Sequence, residues 1–194
     1  MDSFESLLNR VRHCALCAAY LSDGVRPVVQ IQPSARLLII GQAPGRKVHE
    51  SGIPFNDASG ERLRHWMGIS SDIFYDASKV AIVPMGFCYP GKGKSGDLPP
   101  RTECAPQWHT ELLSYLTELK LTLLIGQYAQ NYYLPMPMPT LTQNVQNWRQ
   151  FDPKLLPLPH PSPRNNIWLK RNPWFEQELV PELHNRVANA LSST

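Results

Sequence analysis

The residues with the plainest chemistry in this 194-residue chain are its four cysteines and a histidine set between prolines. Cys14 and Cys17 form a Cys-x-x-Cys pair, and Cys88 and Cys104 follow with fifteen residues between them. Four thiolates are the ligand set of an iron–sulfur cube and also of structural zinc, and unligated buried thiols are the plain alternative. Zinc sites usually carry two short knuckles, so the single one here favours iron–sulfur. His160 lies in Leu158-Pro-His-Pro-Ser162-Pro-Arg164-Asn165, where three prolines alternate with His, Ser and Arg. Proline fixes φ and removes a donor, so this loop is stiff and holds its polar side chains outward, which points to function. A third segment reads Gly41-Gln42-Ala43-Pro44-Gly45, followed by Gly52-Ile-Pro-Phe55. Glycine there lets the backbone approach a ligand and frees amide donors for a phosphate or a base edge, although a tight turn with Phe55 in the core would use the same residues.

These segments need elements to place them. Four short apolar runs, at 36–40, 80–83, 121–125 and 155–158, each end in Gly or Pro and suit strands buried on both faces. Helix-like stretches at 58–67, 105–119, 127–133 and 172–191 alternate with them. The alternation predicts an α/β fold, a three-layer α/β/α sandwich around a central four-stranded parallel sheet with right-handed crossovers. Ligands in such folds sit at the carboxyl ends of the strands, which puts the weight on the loops at 41–56, 84–101, 126–128 and 159–166. Trp66, Trp108 and Trp148 read as core residues.

Composition sets the outer limits. The length suits one domain over 1–194, and 42% hydrophobic with 18% charged residues excludes a disordered or acidic tail protein. A formal charge of +3 leans only weakly toward anionic partners. No run approaches the roughly 20 apolar residues needed to span a bilayer, and Asp2 and Glu5 do not suit a secretory leader, so the expectation is a cytoplasmic protein with no membrane partner. A reducing compartment also argues against a disulfide framework for the cysteines.

The Gly-Gln-x-Pro-Gly loop, the Gly-x-Pro-Phe that follows it and the distant His-Pro-Ser-Pro loop together resemble the uracil-DNA glycosylase superfamily. The four cysteines, with Cys104 followed by Ala105-Pro, are similar to those of its bacterial and archaeal subgroup bearing a four-iron four-sulfur cluster. The resemblance covers nearly the whole chain. It implies a monomeric DNA repair glycosylase that flips uracil or a related deaminated base out of DNA, hydrolyses its N-glycosidic bond and leaves an abasic site. It further implies Cys14, Cys17, Cys88 and Cys104 as cluster ligands, with zinc the less favoured occupant. His160 would donate to the departing base, and Phe55 would stack on it. Gln42, Ala43 and Pro84 would line the base pocket. Gly41, Pro44, Gly45 and Ser162 would grip flanking phosphates, Arg46 and Lys47 would contact the backbone with Lys92 and Lys94, and Arg164 would enter the gap left by the flipped base.

The chain also departs from that pattern. Ala43 stands where other members carry a catalytic aspartate, as it does in the iron–sulfur subgroup, and the acids that follow in that subgroup are here Arg46, Lys47, Val48 and His49. His49, Glu50 and Asp57 are the local candidates left to position water. Pro84 stands where an asparagine usually reads the uracil edge, which predicts a less sharply selective pocket, with recognition passing to backbone amides at 42–45, to Asn56 or to His160. These departures support an alternative, a catalytically impaired DNA-binding module that retains the fold.

Overall fold

The computed structural model describes residues 3–192. The four apolar runs pair as parallel strands, because each strand is apolar at nearly every position and only a sheet covered on both faces can bury them. In chain order the elements begin with α1 (Phe4–Arg12), β1 (Leu37–Ile40), α2 (Arg46–Ser51), α3 (Ala58–Met67), α4 (Ser71–Phe74) and β2 (Val80–Ile82). A small hairpin of β3 (Lys92–Gly93) and β4 (Gly96–Asp97) follows. Then come α5 (Cys104–Ser114), β5 (Leu121–Ile125), α6 (Gln127–Tyr133), α7 (Leu141–Gln146), β6 (Leu155–Leu158), α8 (Asn166–Arg171), a π-helical turn (Phe175–Leu179) and α9 (Val180–Leu191).

The sheet order is β2-β1-β5-β6, all parallel. Alternate residues of β1 point to opposite faces, as the period of two requires. Leu37 and Ile39 join one core with Leu63, Trp66 and Leu183, from α3 and α9, while Leu38 and Ile40 join the other with Leu7, Ala105 and Leu112, from α1 and α5. The expected three-layer sandwich is therefore the observed one. Pro157 is tolerated in β6 because that strand lies at the sheet edge, where a missing N–H breaks no inner ladder. Trp66, Trp108 and Trp148 are all buried. No helix among the described residues is long and apolar enough to cross a membrane.

The last helical stretch differs from the expected continuous run at 172–191. Helix α8 ends at Arg171 ahead of Pro173, and a π-helical turn leads into α9, whose second residue is Pro181. Proline cannot donate to the preceding turn, and the wider π turn absorbs the break in the ladder. The expected helix at 105–119 occupies Cys104–Ser114, and the loop expected at 41–56 contains the short helix α2.

Candidate active site

The strand order reverses between β1 and β5, and the loops leaving the carboxyl ends there diverge to leave a crevice. A cleft of about 410 Å³ occupies that place. Its first wall is the loop after β1. Gly41, Gln42, Ala43, Pro44 and Gly45 all line it, as does Phe55 from the end of the same connection. Phe55 has φ +53°, a left-handed conformation that is costly for a bulky side chain. Three contacts hold it there. Gly60 lies so close beneath that a Cβ on it would fall 1.8 Å from the Phe55 carbonyl oxygen. The Tyr75 hydroxyl donates to that oxygen at 3.3 Å, and Arg64 in turn donates to Tyr75 at 3.2 Å. On the ring side, a Cβ on Gly41 would come 3.3 Å from Phe55 Cζ, so glycine is what lets the ring lie over the loop. A strained aromatic buttressed from both sides is a positioned residue.

The opposite wall is the loop after β6, which brings His160, Ser162, Arg164 and Asn165 to the same cleft. The Ser162 backbone N–H donates to His160 Nδ1 at 3.1 Å. Nδ1 must therefore carry the lone pair, which assigns the ring proton of the neutral imidazole to Nε2. Burial holds the His160 pKa below its ordinary value, against the opposing charge of Asp57, so the neutral donor is the favoured form near neutrality. Asn165 donates to the His160 carbonyl at 2.7 Å and Arg62 of α3 donates to the Ser162 carbonyl at 3.2 Å, fixing the loop between two helices. Arg164 is exposed and reaches across the cleft, donating to the Ser95 carbonyl at 3.2 Å.

Pro84, at the end of β2, forms part of the third side with Ser95, Gly96 and Asp97 of the hairpin. Its carbonyl is held from behind by His109 Nε2 at 2.9 Å, and the Tyr133 hydroxyl lies 2.5 Å from His109 Nδ1. Since a carbonyl can only accept, His109 donates through Nε2 and accepts from Tyr133. Burial pushes the His109 pKa down to about 4, which keeps this chain neutral.

Ten sequence-predicted residues thus meet in one cleft: Gly41, Gln42, Ala43, Pro44, Gly45, Phe55, Pro84, His160, Ser162 and Arg164. Others stay outside it. Arg46 turns to Asp23 at 3.2 Å and over the Tyr89 ring, and Lys47 is exposed on α2 away from the lining. Lys92 and Lys94 are exposed on the hairpin. Asn56 is exposed and does not line the cleft, which removes it as a reader of the base. His49 points to the Asp23 carbonyl at 3.1 Å, and Glu50 is exposed. Of the three candidates for positioning water only Asp57 lines the cleft.

A family model of the uracil DNA glycosylase superfamily matches residues 28–184, a span that holds every one of these cleft residues. The chain belongs to that superfamily. It is also similar to a protein named Type-4 uracil-DNA glycosylase from Sulfurisphaera tokodaii, 24% identical over 132 residues. Those residues are 68% of this chain and 58% of the relative, so the match spans little more than half the length of that protein.

This superfamily member has a second cavity, behind the segment that joins β2 to α5. Cys14, Cys17, Cys88 and Cys104 all line it, with Leu21, Val25, Pro27 and Phe87, and Arg101 is the charged residue of that lining. Burial raises the Cys17 thiol, and pushes Cys88 to about 11 and Cys104 to about 12, each further raised by neighbouring cysteines. Such thiols ionise together only around a cation. Among the described residues no three His, Cys, Asp or Glu side chains form a group that could hold a metal ion. The donor set, four thiols lining one cavity, is that of an iron–sulfur cluster and of structural zinc alike.

Sequence reading missed the hairpin residues of the cleft and the His109–Tyr133 pair. The Gly-Lys-Gly-Lys-Ser-Gly run at 91–96 carried a turn signal for the first. Nothing local marks the second, since His109 of α5 and Tyr133 of α6 meet only because both helices pack into the same core on one face of the sheet.

Proposed function

We propose that this chain is a monofunctional DNA glycosylase, working as a monomer in the cytoplasm, that hydrolyses the N-glycosidic bond of uracil or a related deaminated base in DNA and leaves an abasic site. The observation that carries this reading is a histidine fixed as an Nε2–H donor in the same cleft as a strained, buttressed phenylalanine. The target base must leave the stack to be reached. Phe55 stacks on its face, a contact worth about 1–3 kcal/mol that any base can make. As the bond to the sugar lengthens, negative charge gathers on the base oxygen and positive charge on the sugar. His160 Nε2–H then stabilises the transition state more than the bound substrate.

The amides of Gly41–Gly45 and the Ser162 hydroxyl grip the flanking phosphates, with Lys47, Lys92 and Lys94 adding attraction from further out. Arg164 leaves the Ser95 carbonyl to fill the gap left in the duplex stack. Pro84 offers the base no donor, and its carbonyl is engaged by His109, so the edge is read by Gln42, backbone amides and His160, with a wider base range as the consequence. Cys14, Cys17, Cys88 and Cys104 would hold a four-iron four-sulfur cluster. That group would supply a brace between the N-terminal segment and the loop before α5, without a redox step. The alternative, a DNA-binding module that has lost catalysis, is favoured by Ala43, Pro84 and the replacement of the usual acids by Arg46, Lys47, Val48 and His49.

A panel of single- and double-stranded oligonucleotides, each with one uracil, hypoxanthine or xanthine, decides between them by single-turnover rate after alkali cleavage. Cleavage of uracil with measurable cleavage of the others is the expected result. Strict uracil specificity overturns the wider range, and binding without cleavage of any lesion puts the module first.

A further inference from the structure

Hydrolysis needs more than a donor for the leaving base: a water must reach C1′ as positive charge develops there. Ala43 supplies nothing for this. The cleft holds a carboxylate in another place. Asp57 lines it together with Phe55 and His160, and it is half-buried. Asp57 and the His160 ring thus face one cleft, and the carboxylate charge acts on the His160 pKa against burial. One oxygen, Oδ1, accepts the Gly60 N–H at 2.9 Å as the N-cap of α3. That bond fixes the carboxyl and leaves Oδ2 without a hydrogen-bond partner among the described residues, and no Lys, Arg or His there forms an ion pair with it. An unpaired acid in a cleft that must admit a polyanion opposes binding, so capping alone is a poor reason for it. Serine, threonine or asparagine would cap as well without the charge.

The other acid in the lining, Asp97, is different. It sits exposed on the hairpin, takes the Tyr89 hydroxyl at 3.4 Å and lies beside Gly45, at the rim where the phosphates would pass.

We propose that Asp57 is the catalytic carboxylate of the glycosylase reaction, a role that rests on the function proposed above. Its free oxygen holds the attacking water by its hydrogen and stabilises the positive charge on the sugar. The water oxygen bonds to C1′ as the C1′–N bond breaks. The bonding pair leaves with the base, whose oxygen is held by His160 Nε2–H. The proton shed by water passes to Asp57 and then to the departed base, so the carboxylate is regenerated and one water is consumed.

The test is Asp57→Asn, because asparagine caps a helix as well as aspartate does and removes only the charge. The expected result is a single-turnover rate on uracil DNA about 10² or more below the parent, the range of a lost general base, with DNA affinity equal or tighter and an unchanged melting temperature. Glu50→Gln serves as the control and keeps the parent rate. An Asp57→Asn rate within about threefold of the parent overturns the assignment, as does a loss found only in Asp97→Asn. If the parent itself cleaves no lesion, the proposed function has failed and this role falls with it; a cleaving parent with an unaffected Asp57→Asn refutes the role alone.

Discussion

The cleft and the cysteine cavity share a wall, the segment between β2 and α5, yet that segment shows them opposite chemistry. Toward the cleft it presents Pro84, Pro90 and the polar hairpin residues Ser95, Gly96 and Asp97. Toward the cavity it presents Phe87, Cys88 and Arg101, and Cys104 follows at the start of α5. Residues on the cleft side are held in costly or exposed states, with Phe55 at φ +53° and Arg164 stretched over the opening. Those on the cavity side are thiols whose pKa values are raised by burial and by one another. A site that must admit a substrate keeps polar groups aimed and partly unsatisfied, whereas a site that braces a loop closes around its ligand. Cys88 of the cavity lies four residues from Pro84 of the cleft, so disturbing the cavity should reach the cleft through Pro84 and the hairpin.

The largest effect expected is on the cavity side. Cys88→Ser should take anaerobically purified protein from about four irons per chain to nearly none, with loss of the broad visible absorbance and weakened folding or DNA binding. Stoichiometric zinc in the parent, measured by elemental analysis, would break this side of the comparison. His160→Ala tests the other side. The single-turnover rate should fall by about 10²–10³ with DNA affinity nearly unchanged and iron content intact, because the donor acts on charge that appears in the transition state.

Next comes the wall between the two sites. His109 has a folded pKa of about 4, below its ordinary 6.5, so between those values the unfolded chain binds the extra proton and stability rises with pH. Urea denaturation should show a loss on the order of 3 kcal/mol as pH falls through that window, and His109→Gln should flatten the slope. An unchanged slope would mean that the His109–Pro84 bond does not hold the wall. The smallest effect is that of Arg164→Ala. It should slow duplex substrate several-fold more than single-stranded substrate, since only a duplex leaves a hole to fill. Equal losses on both would reduce Arg164 to a phosphate contact.

Much of this was legible in the sequence, for a definite reason. The strands are continuous apolar runs and end in Gly or Pro, so periodicity and turn chemistry together fix a parallel sheet and point to its carboxyl ends. The first and last loops carry their chemistry in consecutive residues, Gly41 to Gly45 and His160 to Arg164, and all of the residues singled out there meet in one cleft apart from the basic pair that follows. The four cysteines were readable as one set from spacing alone.

Tertiary structure decided what depends on direction. Arg46 and His49 sit in the loop expected to face DNA, but the short helix α2 turns both toward Asp23. Asn56 and Asp57 are neighbours in sequence with equal claims as polar groups, and the start of α3 exposes one while it points the other into the cleft. His109 and Tyr133 come from different helices, and only the packing of those helices on one face of the sheet makes them a single support for Pro84. Sequence records which groups a chain possesses and the period of their burial; which way a side chain points at a helix start, and what lies behind a wall, follow from contacts between segments far apart in the chain.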